Sequence, residues 1–110
     1  TYGLHRKKQM PFFRILQSVL YDTKDLSEEQ IGILVNITQH LSNLLERELQ
    51  LNGFWESHRL TAQNRLKAEI QKLLLSPENS GLPGMIQKVP ALISRIMELA
   101  KSNNDIILYA

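Results

Sequence analysis

An all-α fold, a compact bundle of about four to six helices around a long central one, follows from three observations. Apolar residues recur at helical spacings of three and four along most of the 110-residue chain. Five Gly and four Pro leave few breaks between these stretches. No pair of alternating apolar and polar runs suggests a sheet. Hydrophobic residues make up 43% and charged residues 22%, the balance of a globular chain and not of a disordered one. The length suits one domain, expected over residues 10–110.

Residues 1–9 carry no apolar period and read as a linker or an appended remnant. Pro11 fits the first turn of a helix, where its missing N–H is not needed. Phe12, Ile15, Leu16, Val19 and Leu20 then place a first helix over about residues 11–21. Ser27 followed by Gln30 is a capping-box pattern, and Glu28 and Glu29 suit the positive end of the helix dipole. The second helix is predicted to run to about residue 51, where Asn52-Gly53 stops it. Its apolar side chains, Ile31, Ile33, Leu34, Val35, Ile37, Leu41, Leu44, Leu45 and Leu49, cover about half its circumference. That width predicts a central helix with neighbours on several sides, and it leaves Asn36, Gln39, Asn43, Arg47 and Gln50 as the wet face.

Phe54-Trp55 opens the third segment, with a break near residues 58–61, where Thr61 could cap a fresh helix. Ala62, Leu66, Ile70, Leu73 and Leu74 form its apolar face. Residues 76–84 are rich in Ser, Pro and Gly and read as a loop. The fourth helix is predicted with Pro90 in its first turn, after a short separate turn over residues 85–88. Its stripe is Val89, Leu92, Ile93, Ile96, Leu99 and Ala100. Asn103-Asn104 ends it, and residues 106–109 form an apolar tail that docks. The predicted core is Ile31, Leu34, Leu41, Leu45, Leu66, Ile70, Leu73, Leu92, Ile96 and Leu99.

The chain offers little to catalysis. It has no cysteine, so a disulfide framework, a thiolate zinc site and a cysteine nucleophile are excluded. His5, His40 and His58 lack the i+3 or i+4 partner of a helical metal site. No phosphate-cradling loop of the GxxxxGK[ST] type occurs, and Gly81-Leu82-Pro83-Gly84 reads as a turn. Asp22-Thr23-Lys24 could belong to a metal-dependent nuclease, but such a site needs a second acidic group on a rigid scaffold. A solvated turn is the simpler reading. No apolar run reaches the roughly 18 residues of a membrane span, so no membrane partner is expected.

Thirteen Lys and Arg against eleven Asp and Glu give a net charge of +2, which does not demand nucleic acid. The distribution is more informative. Over residues 58–101 seven cations (Arg59, Arg65, Lys67, Lys72, Lys88, Arg95, Lys101) face three anions (Glu69, Glu78, Glu98). His58, Arg65 and Lys72 recur every seven residues on one flank, with Lys67 on another. Such a row can track phosphates. It is also what the solvated face of any helix looks like. Phe54-Trp55 likewise has two readings, a core anchor between helices or an interface hot spot.

The residues running from Leu26-Ser27-Glu28-Glu29-Gln30-Ile31 through Leu44-Leu45-Glu46, Phe54-Trp55 and Arg65-Leu66-Lys67-Ala68-Glu69-Ile70-Gln71-Lys72-Leu73-Leu74 form a pattern. It resembles the C-terminal region of type I restriction enzyme motor subunits. The tail from Leu82-Pro83 to Leu108 is similar to the type IC subfamily. The resemblance spans nearly all of residues 10–110 and rests on helix patterns around one Phe-Trp pair. It implies that the chain, which lacks an initiator Met, is a cytoplasmic piece of a longer subunit. That subunit would be an ATP- and Mg-dependent DNA translocase and endonuclease. It would join a methyltransferase core of modification and specificity subunits. Its nuclease and motor motifs would lie outside this piece, leaving the piece no catalytic residue and no cofactor of its own. What remains is assembly with that core and the rest of the motor subunit, together with sequence-independent contact to double-stranded DNA. Arg59, Arg65, Lys67 and Lys72, then Lys88 and Arg95, are the expected phosphate contacts, and Phe54 and Trp55 the expected interface or anchor. The alternative is a pure protein–protein interaction domain with no DNA role.

Overall fold

A computed structural model describes residues 3–21, 27–76 and 85–109. The expected turns at Asp22-Thr23-Lys24 and over residues 77–84 lie outside the described residues. Among the described residues there are five α-helices, one 3-10 turn and no strand. They are α1 (Met10–Leu20), α2 (Glu28–Glu48), a 3-10 turn (Ser57–Arg59), α3 (Leu60–Leu74), α4 (Met85–Ser102) and α5 (Asn104–Tyr109). The fold is an all-α bundle. Its radius of gyration is 13.6 Å, against the roughly 13 Å of a folded chain of 100 residues, so it is compact.

Helix α1 packs on α4 and α2, α2 on α3, and α3 on α4, which closes a ring of four. The short α5 bridges α2 and α4. At 21 residues α2 is the longest helix, and it touches α1, α3 and α5. The wide apolar face of α2 is thus used. The capping box forms as expected: Ser27 Oγ accepts from the Gln30 N–H at 3.1 Å, and Gln30 Oε1 accepts from the Ser27 N–H at 2.9 Å. Two of the four unpaired donors at the helix start are satisfied there.

Of the ten predicted core residues, Leu34, Leu41, Leu45, Leu66, Ile70, Leu92 and Ile96 are fully buried. Ile31, Leu73 and Leu99 are half-buried at the margins of their stripes. The core also takes in Phe12, Phe13, Leu16, Met85 and Ile107. Thr38 is buried in the middle of α2, where its hydroxyl donates to the Leu34 carbonyl at 2.7 Å and so needs no partner outside its own helix.

Several boundaries differ from the sequence reading. Part of the stretch expected as a linker packs onto the bundle. Leu4 is 5% exposed, Lys8 pairs with Glu46 of α2, and His5 Nδ1 accepts from the Lys8 N–H at 3.1 Å. Helix α2 stops at Glu48 instead of residue 51. Separate turns, from the Leu51 N–H to Glu48 and from the Phe54 N–H to Leu51, then carry the chain to Gly53. Gly53 has a φ of +70°, a backbone conformation that side chains resist. A Cβ there would stand 2.7 Å from the exposed Glu56 Oε2, which can swing aside, so it is the positive φ that makes this turn favour glycine. Pro90 lies inside α4 instead of in its first turn, because Met85 and Val89 extend the buried stripe one turn upstream. The fourth helix ends at Ser102, just before Asn103-Asn104 as expected, and Asn104 starts α5, which carries Ile107 into the core.

Candidate polyanion groove

The turn at Gly53 folds the chain back so that the start of α3 lies beside the end of α2. Gln63 holds this arrangement. Its Nε2 donates to the carbonyls of Phe54 (2.9 Å) and Glu56 (3.2 Å). Between the two helix ends lies an open groove of about 620 Å³. Arg47, Glu48, His58, Arg59, Thr61 and Arg65 supply most of its polar lining. Three arginines and one carboxylate therefore line the same groove.

The electrostatics of the groove centre on Glu48. Its side chain is 14% exposed, against 64% for Arg47 and 69% for Arg65. Glu48 Oε1 accepts from Arg47 Nη2 at 3.2 Å and lies 3.7 Å from Arg65 Nε. Ion pairs with such exposed partners contribute at most about 1 kcal/mol each. Arg59 is more deeply set, and its Nε is buried without a hydrogen-bond acceptor. A buried donor left this way costs about 1–3 kcal/mol. His58 Nε2 lies 3.4 Å from Glu56 Oε2, so that pair is mutually engaged at the rim.

The six cations expected to contact phosphate do not form one surface. Arg59 and Arg65 meet in the groove. Lys72 is exposed two turns further along α3 on the flank of Arg65, about 10 Å away along the axis. Lys67 is exposed but stands about 160° around α3 from Arg65. Arg95 is exposed on α4 and does not line the groove. Lys88 is committed elsewhere: its Nζ donates to the Leu20 carbonyl at 3.1 Å, capping the C-terminal end of α1. Arg47, assigned to the wet face of α2 from sequence, joins the groove through the fold alone. So does Glu48, which had no role in the sequence reading.

The Phe54-Trp55 pair divides. Phe54 is 3% exposed and belongs to the core. Trp55 is half-buried against it, with ring centroids 4.8 Å apart in an edge-to-face arrangement. The Trp55 indole N–H donates to Asn104 Oδ1 at 3.1 Å. Its polar partner is thus the first residue of α5. The fluorescence of Trp55 is expected to be blue-shifted in the folded chain and to move red on unfolding. Asn104→Ala should shift the folded spectrum and lower stability by about 1 kcal/mol. A folded-state spectrum matching that of free indole in water would remove Trp55 from this anchor role.

Outside the groove, burial and then the Glu29 carboxylate raise the Tyr21 hydroxyl above its ordinary value. Among the described residues, no three His, Asp or Glu side chains gather to hold a metal ion. No helix of the described residues is long and apolar enough to cross a membrane. No family model, curated protein or solved structure matches this chain.

Proposed function

We propose that this chain is a non-catalytic helical accessory domain that contacts the phosphate backbone of double-stranded DNA without reading its sequence. Its context would be the one the sequence resemblance suggests, the C-terminal end of a type I restriction enzyme motor subunit docked on a methyltransferase core of modification and specificity subunits. The ATP- and Mg-dependent chemistry would belong to the rest of that subunit. The observation that carries the DNA contact is the convergence of Arg47, Arg59 and Arg65 on one open groove. Lys72 continues that row along α3. Guanidinium groups suit this task because each offers five N–H donors in a fixed fork that matches phosphate oxygens. Nothing here resembles a helix built to read base edges, so the contacts would position the duplex and leave its sequence unread.

The test is duplex affinity against salt. A net charge of +2 supplies little long-range field, so wild-type binding should be weak and measurable at low ionic strength. Replacing Arg65 and Lys72 together by Ala should weaken binding about tenfold at low salt and lower the salt slope by about two, equally for unrelated sequences. The fold should persist, since both side chains are exposed. Identical slopes and affinities would take α3 out of the DNA path.

A second reading, a protein–protein interaction domain with no DNA role, is favoured by one observation. Leu51 and Leu60 are 39% and 59% exposed near the groove, and Tyr109 is 80% exposed on α5. If the double variant bound DNA normally but failed to join the modification and specificity subunits, this second reading would replace the first.

A further inference from the structure

Glu48 is an acidic residue in an unfavourable place. It is the last residue of α2, where the helix dipole presents its negative end and disfavours a carboxylate. Its side chain is nonetheless largely covered, and one atom, Oε1, faces both Arg47 Nη2 and Arg65 Nε. A single oxygen thus stands where two guanidinium groups converge. The carboxylate has only two oxygens, and the arginines together have ten N–H donors, most of them open to solvent. Arg59, lining the same groove, holds its buried Nε without any acceptor. The donors outnumber what Glu48 can satisfy.

We propose that Glu48 is a resident stand-in for phosphate. The groove takes one phosphate group among Arg47, Arg59 and Arg65, and Glu48 occupies part of that site until the phosphate displaces it. This rests on reading the groove as a phosphate-contacting face. Glu48 keeps Arg47 and Arg65 aligned while the groove is empty, and it competes with the incoming anion. A tetrahedral phosphate presents enough oxygens to meet Arg47 and Arg65 and also the guanidinium of Arg59, which lines the same groove. No covalent step is involved. The phosphate belongs either to a nucleic-acid backbone or to a free oligophosphate, and two probes separate these sources.

The experiment compares wild type with Glu48→Gln. Glutamine keeps the shape and an acceptor oxygen but removes the charge. Pyrophosphate is titrated while backbone amide shifts are followed, and a short DNA duplex is titrated separately at low salt. Glu48→Gln should bind pyrophosphate roughly fivefold tighter, with shifts concentrated at Arg47, Arg59 and Arg65. Pyrophosphate affinity that is unchanged or weaker in a folded Glu48→Gln variant overturns the proposal, as does binding whose shifts lie elsewhere. Should Glu48→Gln fail to fold, Arg59→Gln decides: loss of pyrophosphate binding supports the site, and unchanged binding overturns it. A comparable gain for the duplex assigns the phosphate to nucleic acid. A gain for pyrophosphate with no duplex binding in either protein keeps the phosphate site, makes a free oligophosphate its ligand, and removes the DNA reading.

Discussion

Truncation of Leu45 to Ala is expected to lower the unfolding free energy by about 2–5 kcal/mol. Leu45 is 0% exposed and lies one turn before the end of α2, the helix that packs on α1, α3 and α5. Removing its branched end leaves a cavity between elements that are each tied to others, so the site cannot collapse freely. A domain of this size has about 5–15 kcal/mol of total stability, so the loss is a large fraction of the whole. The midpoint of thermal unfolding should fall by roughly 4 °C or more for each kcal/mol lost. Ile31→Ala on the same helix is the control. Ile31 is half-buried in the first turn, and its truncation should cost clearly less. Equal losses at the two positions, by chemical denaturation with matching slopes, would contradict the burial pattern of α2.

The helices were legible in the sequence because burial imposes a period, and a period can be read without knowing what covers it. The seven predicted core residues that are fully buried all lie on α2, α3 or α4. The misplacements lie at margins, where the neighbour decides. Ile31, Leu73 and Leu99 repeat correctly but face the rims of their interfaces. Leu4 belongs to no period at all, yet it is buried because the N-terminal turn folds onto the bundle.

The groove was only half legible. Arg59 and Arg65 could be singled out because they sit in a stretch with few acidic residues. Arg47 and Glu48 could not, because they lie on another helix with ordinary solvated spacing. The turn at Gly53 brings residues 47 and 48 against residues 59 and 65, and its signal was present as Asn52-Gly53. That signal says where a helix stops and does not say where the next one goes. Lys88 illustrates the reverse error. Its charge is real, but the Leu20 carbonyl takes it, and nothing local to Lys88 announces the end of α1.

The second large effect concerns Pro90, whose replacement by Ala is expected to stabilise the protein. Pro90 is the sixth residue of α4 and is exposed. In an unbroken helix its N–H would donate to the Ile86 carbonyl, but proline has none, and its ring crowds that carbonyl. Proline in a helix interior is about 3 kcal/mol less favourable than alanine. The unfolded chain offsets part of this, because proline restricts it by about 0.4–1 kcal/mol more than alanine does. A gain of about 2 kcal/mol should remain, read as a higher melting midpoint. The α-helical signal in circular dichroism should not fall. The turn upstream of Pro90 persists despite the proline because Met85 and Val89 are 2% and 4% exposed and hold it to the bundle, where α1 and α4 form the most extensive helix pair. The outcome also separates two arrangements of this segment. If residues 85–88 were a separate turn with Pro90 opening the helix, the proline would occupy a favourable first-turn position. Alanine would then leave stability unchanged or lower it. A fall in the melting midpoint on Pro90→Ala would therefore restore the sequence-based boundary of the fourth helix and contradict the continuous helix from Met85 to Ser102.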